Sequence, residues 1–161
     1  MNDNGKLRVV LATHNAGKIR ELADPMADFG IEVVGLSLFP EIGEIEETGT
    51  TFEENALIKA RAVCAATGLV AVADDSGLEV DALDKGPGVY SARYMGEDTP
   101  YTIKNQKILD LLAGVPEDKR TARFVCVIAA VLPDGREFTT KGTIEGIIGY
   151  ESRGEGGFGY D

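Results

Sequence analysis

The 161-residue sequence predicts one α/β domain, on three observations. Within the first 36 residues an apolar β-rich run, a turn, an amphipathic stretch and a second β-rich run follow one another. A helix with its own capping signal then leads into another apolar run. Finally, two long β-rich segments meet at an Asp-Gly turn, a strong hairpin signal. No internal repeat, low-complexity tract or linker interrupts the chain, so the domain is read as 1–161.

The elements follow in order. Leu7 to Thr13 (LRVVLAT) reads as a buried strand. His14-Asn15-Ala16-Gly17 is a turn, and Lys18 to Asp28 is helical, with Ile19, Leu22, Ala23 and Met26 near a 3.6-residue period. Pro25 is expected to kink or end that helix. Ile31 to Leu36 is the second strand, and Pro40 to Gly49 an acidic loop. Thr51 and Glu54 fit a capping box for a helix whose apolar face is Phe52, Ala56, Ala60 and Val63, and Gly68 ends it. Leu69 to Ala73 is a buried strand running into Asp74-Asp75-Ser76-Gly77 at its end, with a further short strand over Leu78 to Leu83. A Gly/Pro turn precedes a third helix over Thr99 to Ala113. The hairpin pairs Thr121–Leu132 with Glu137–Ile148.

Apolar residues make up 43% of the chain and charged residues 27%, a balance that excludes a disordered chain. No apolar run reaches membrane-spanning length and no secretory signal is read, so a cytoplasmic protein without a membrane partner is expected. Cys64 and Cys126, 62 positions apart, make neither a disulfide framework nor a zinc motif, and both are expected to be buried. With 16 basic against 27 acidic residues the net charge is −11, which excludes the extended basic surface that nucleic acid requires. A small anionic substrate is compatible with that charge, because a metal ion converts surplus carboxylates into an anion site.

Three groups are placed to carry chemistry. Thr13-His14-Asn15-Ala16-Gly17-Lys18 lies between a strand and a helix N-terminus, where free backbone N–H groups and the helix dipole favour phosphate. Lys18 would add the countercharge, and the same residues also suit an ordinary β–α turn. The lone His14 reads as a residue on the rim, since no partner for a general base is identifiable. Glu44, Glu46 and Glu47 precede the capped helix, where they serve either its dipole or a Mg²⁺ ion. On that helix Asn55 and Lys59 share a face away from the apolar stripe, and Lys59 could reach phosphate. Asp74 and Asp75 close an apolar strand, the position where ligands gather in open α/β sheets, and an Asx turn is the alternative. Arg93, Phe158 and Tyr160 have both binding and packing readings.

Together these stretches resemble the inosine triphosphate pyrophosphatase family. The matching segments are THNAGK (13–18), EETGTTFEENALIKA (46–60), ADDSGLEVDALDKGPGVYSARY (73–94) and GGFGYD (156–161), in the family's order. The resemblance implies an elongated fold with a long twisted mixed sheet flanked by helices, two lobes around a cleft, and a homodimer. It implies Mg²⁺-dependent hydrolysis of ITP, dITP or XTP to the monophosphate and pyrophosphate, which cleanses the nucleotide pool. Thr13, His14, Asn15, Ala16, Gly17 and Lys18 would hold the triphosphate, and Glu46 and Asp75 the metal, with Asp75 as proton acceptor. Ser76, Phe158, Gly159, Tyr160 and Asp161 would contact substrate. Family members normally continue past FGYD with a segment that reads the purine base, so a C-terminally truncated form is expected. Glycine is often found where His14 stands. Two other readings of the same acids remain open: a catalytically silent nucleotide-binding module, and a metal-dependent hydrolase of another phosphorylated metabolite.

Overall fold

The computed structural model describes residues 4–157 and 159–161, so the expectation for Phe158 lies outside the described residues. Among the described residues, six strands and three α-helices, with short 3-10 turns between them, form a mixed α/β fold. The elements are β1 (Leu7–Leu11), α1 (Ala16–Ala27), β2 (Ile31–Val34), α2 (Phe52–Thr67), β3 (Val70–Val80), β4 (Gly86–Pro87), α3 (Tyr101–Leu111), β5 (Thr121–Val131) and β6 (Glu137–Ile147). The sheet order is β2-β1-β3-β5-β6, with β4 paired antiparallel to β3. β1 runs parallel to both β2 and β3. Parallel neighbours need a crossover, and α1 and α2 supply the two that are required.

The chain divides into two compact units, residues 1–75 with 127–141 and residues 76–126 with 142–161. In the first, α2 buries Phe52, Ala56, Ala60 and Val63, the predicted stripe, with Val9, Val10 and Leu11 of β1 also in the core. Thr51 caps α2 by accepting from the Glu54 N–H at 3.1 Å. The return arm of the box lands one residue early, on the Thr50 N–H at 2.7 Å. Gly68, at φ +68°, ends the helix in the left-handed conformation that glycine adopts without penalty. α1 half-buries Ile19, Leu22, Ala23 and Met26, as its period predicted. Pro25 does not stop it; the helix ends at Ala27, because a proline in the last turn forfeits a single hydrogen bond.

The second unit packs Leu78, Val80, Ile108, Leu112 and Ala122 together, with Tyr94 and Tyr160 against them. Arg120, 2% exposed, ties its carbonyls down by donating to Leu112 at 2.8 Å, Ile148 at 2.8 Å and Gly149 at 2.7 Å. Arg123 bonds Glu79, Asp81 and Glu145, and holds the Asp81 carboxyl well below the usual carboxylate range.

Two expectations are corrected. β3 runs unbroken from Val70 to Val80, so Asp74-Asp75-Ser76-Gly77 lies inside a strand, neither at its end nor in a turn. The buried set shifts from odd positions (Ala71, Ala73, Asp75) to even ones (Leu78, Val80) across Ser76 and Gly77, which is why two short strands were read there. Cys64 is buried but Cys126 is exposed, since on β5 the inward residues are Val125 and Val127.

Candidate functional site

The groups singled out around α1 and α2 converge within the first unit. Asn15 is the N-cap of α1, its side-chain oxygen accepting from the N–H groups of Gly17 at 2.9 Å and Lys18 at 3.2 Å. The Asn15 N–H in turn donates to Thr13 Oγ1 at 3.1 Å. The donors expected to be free for phosphate are thus occupied by Asn15, and an anion reaching them must displace that cap. His14 and Ala16 are exposed on the same turn. A side chain at position 17 would crowd the Asn15 oxygen at 3.1 Å, so glycine keeps the cap compact.

Lys18 Nζ lies 2.8 Å from Asp74 Oδ2. Lys59, one turn after Asn55 on α2, bridges Glu47 Oε1 at 2.7 Å and the Asp74 carbonyl oxygen at 2.5 Å. Asp74 therefore joins the two lysines, one through its carboxylate and one through its backbone. Side chains alternate along a strand, so Asp75 does not share the Lys18 contact. It is 7% exposed and turned toward Asn55 and Lys59.

Asp75 is the most perturbed acid of this group. Burial pushes its carboxyl up to about 6; Lys59 pulls it down, Glu47 pushes it up, the Asn55 side chain lowers it and Asp74 raises it. Asn55 is fully buried, against the expectation of an outward face. Its side-chain oxygen accepts from the Gly49 N–H at 2.8 Å, fixing the end of the acidic loop to α2. The buried Asn55 Nδ2 and the Asp75 carboxylate face each other without closing a well-formed hydrogen bond, which leaves Asp75 Oδ2 without a full partner. Buried polar atoms are nearly always satisfied, so the Asp75 oxygen is open to a further partner.

The Asp75 oxygen tests the fit of a divalent cation, since the Asn55 amide nitrogen is a donor and cannot ligate one. The donor set is a buried carboxylate oxygen on Asp75 with the Glu47 carboxylate near enough to raise its pKa. Among the described residues no cluster of three or more His, Cys, Asp or Glu holds a metal unaided. Magnesium takes one or two carboxylates and leaves the rest to water and phosphate, so the residues fit. Glu46 is exposed, whereas its neighbour Glu47 is the acid tied into the group through Lys59.

The other expected substrate contacts lie in the second unit. Ser76 is exposed on β3. Tyr160 is half-buried against the second core and donates to the Ser91 carbonyl at 2.6 Å, so its ring serves packing. Gly159 accepts from Asn105 Nδ2 at 2.9 Å. Tyr160 and Asp161 border a groove of about 540 Å³ that Leu78, Ile108 and Phe124 also line. Ser91, Lys104, Asn105 and Arg120 were not foreseen, because a polar residue in a helix or turn carries no signal of burial until its tertiary partners are known.

This combination defines a class: a mixed α/β protein with an Asn-capped helix start, two lysines held on carboxylates and one buried acid with an unsatisfied oxygen. The chain belongs to the Ham1 family, whose family model matches residues 9–161. It is 59% identical to a dITP/XTP pyrophosphatase of Nitratidesulfovibrio vulgaris over 97% of this chain and 78% of that protein. It is 55% identical to a dITP/XTP pyrophosphatase of Desulforamulus reducens over 96% of this chain and 77% of that one. Among solved structures, a HAM1 protein from Coxiella burnetii superposes with a TM-score of 0.90 at 42% identity, over 96% of this chain and 79% of that chain. No helix among the described residues is long and apolar enough to cross a membrane.

Proposed function

We propose that the chain hydrolyses non-canonical purine nucleoside triphosphates (ITP, dITP and XTP) to the monophosphate and pyrophosphate, cleansing the nucleotide pool. The observation that carries this reading is the buried, elevated Asp75 carboxyl beside Lys59, with Lys18 tethered through the adjoining Asp74. Relatives named dITP/XTP pyrophosphatases, at up to 59% identity, supply the substrate class.

In this reading the turn Thr13–Lys18 receives the triphosphate. Lys18 exchanges its Asp74 carboxylate for phosphate oxygens, and Asn15 gives up the N–H groups of Gly17 and Lys18. Lys59, already held by Glu47 and the Asp74 carbonyl, is oriented before substrate arrives. Asp75 accepts the proton of the attacking water, a role that suits a carboxylate whose pKa lies near the working pH. Magnesium would be held by Asp75 with Glu47 or Glu46, where it would neutralise phosphate charge and orient water. By likeness to the family, Ser76 and the stretch 158–161 are further candidates for substrate contact. The chain acts as one domain over 1–161, as a cytoplasmic homodimer, without nucleic acid or membrane.

The test is pyrophosphate release from a panel of dITP, XTP, ITP, ATP and GTP at equal concentration, with and without Mg²⁺. Preference for the first three supports the reading. Binding without turnover, or ATP as good a substrate as dITP, counts against it.

A further inference from the structure

Helix α3 carries three residues on one face, Tyr101, Lys104 and Asn105, at spacings of three and four. They grip two segments far apart in sequence. Asn105 Nδ2 donates to the Gly159 carbonyl at 2.9 Å. The Gly159 backbone, at φ +115°, lies so flat on the Tyr101 ring that any Cβ there would overlap it. Tyr160 meets the same ring edge-on, centroids 5.1 Å apart at 87°, and its hydroxyl donates to the Ser91 carbonyl at 2.6 Å. Lys104, 1% exposed, donates to the neighbouring Ala92 carbonyl at 2.7 Å and stands 4.7 Å from the centre of the Tyr101 ring.

A fully buried ammonium satisfied by a carbonyl and an aromatic face is a costly way to fill space. An apolar side chain would occupy the same volume without desolvation. What the ammonium and the Asn105 amide add is direction, since each bond fixes one carbonyl at one angle. Both segments held in this way adjoin candidate binding residues: Ala92 precedes Arg93, and Gly159 with Tyr160 leads to Asp161.

We propose that Asn105 and Lys104 are positioning residues for the nucleotide, acting through the Gly159–Asp161 segment and the turn at Ser91–Ala92. The proposal rests on the reading that this segment contacts substrate. The expected effect separates it from a merely structural role: such a clamp tunes substrate affinity, with little effect on the chemical step, which lies with Asp75.

The experiment uses the full chain and two readouts, KM and kcat for dITP, and Kd for a non-hydrolysable α,β-methylene dITP. Asn105→Ala is expected to raise KM and Kd by roughly 5- to 10-fold, the worth of one buried hydrogen bond, with kcat within about twofold. Asn105→Asp puts an acceptor against the Gly159 carbonyl and should bind more weakly still at pH 8. The ratio of its Kd to that of wild type should shrink as pH falls toward 4, where protonation restores a donor. Tyr160→Phe, which removes only the bond to Ser91, gives the same direction of change if an Asn105 variant does not fold. Unchanged Kd with a lowered melting temperature, or a kcat that falls while KM stays constant, overturns the proposal. A wild-type chain that binds the analogue yet releases no pyrophosphate from dITP counts against the proposed function alone, and the Kd ratios still decide the clamp. A wild-type chain that does not bind the analogue overturns both.

Discussion

Asp75→Asn removes a charge that burial disfavours, and the structure sets both the size and the sign of the consequence. The folded carboxyl titrates at about 6, against 3.8 for the ordinary group. Between those values the native state holds a proton that the unfolded chain releases, so stability falls as pH rises through this window. Above about pH 6 the whole penalty is present, about 3 kcal/mol at 1.36 kcal/mol per unit. Asparagine has nearly the same shape and no charge. In metal-free protein at pH 8, Asp75→Asn should therefore be more stable than wild type by up to about 3 kcal/mol, or roughly 6–12 °C in melting temperature for a chain of this size. Near pH 4 wild-type Asp75 is protonated in the fold and the gain should nearly vanish. Turnover should fall by about 10²–10⁴, the worth of a general base, with a much smaller change in nucleotide affinity. The assay is thermal unfolding in EDTA at pH 4 and pH 8, alongside pyrophosphate release at saturating dITP. A variant no more stable at pH 8, or one equally stabilised at both pH values, would refute the assignment of buried charge to Asp75.

Other perturbations test the neighbouring parts. Lys18→Ala should raise KM for dITP at least tenfold with kcat less affected, because the ammonium supplies binding charge; steady-state kinetics with unchanged KM would remove it from the phosphate site. Gly49→Ala would place a Cβ 2.6 Å from Glu54 Cβ and 2.7 Å from Asn55 Oδ1, so a loss of about 1–3 kcal/mol by urea unfolding is expected. Arg120→Lys cannot reproduce three bonds from one planar guanidinium, and should cost about 3 kcal/mol by the same measurement even though the charge is kept.

The helix starts and stops were legible locally because their signals are local. Thr51 and Gly68 act on backbone groups within a few residues of themselves, and each occupies its predicted kind of place, whereas Asn15, read as a turn residue, caps a helix that starts two residues earlier than expected. The stripe Phe52, Ala56, Ala60 and Val63 was legible for a similar reason, since the period of a helix is set by its own hydrogen bonds. Tertiary structure decided the rest. Whether Asp74-Asp75-Ser76-Gly77 turns or continues as strand depends on which partners receive its backbone bonds, and those partners come from other strands. Two adjacent acids look alike in sequence, yet strand alternation gives Asp74 to Lys18 and leaves Asp75 buried beside Asn55 with an elevated pKa. Asn55 and Lys104 look like solvated helix residues until the segments over them are in place. Residue type and spacing determined which chemistry was on hand; burial and distance, which arise only from long-range packing, decided which residue performs it.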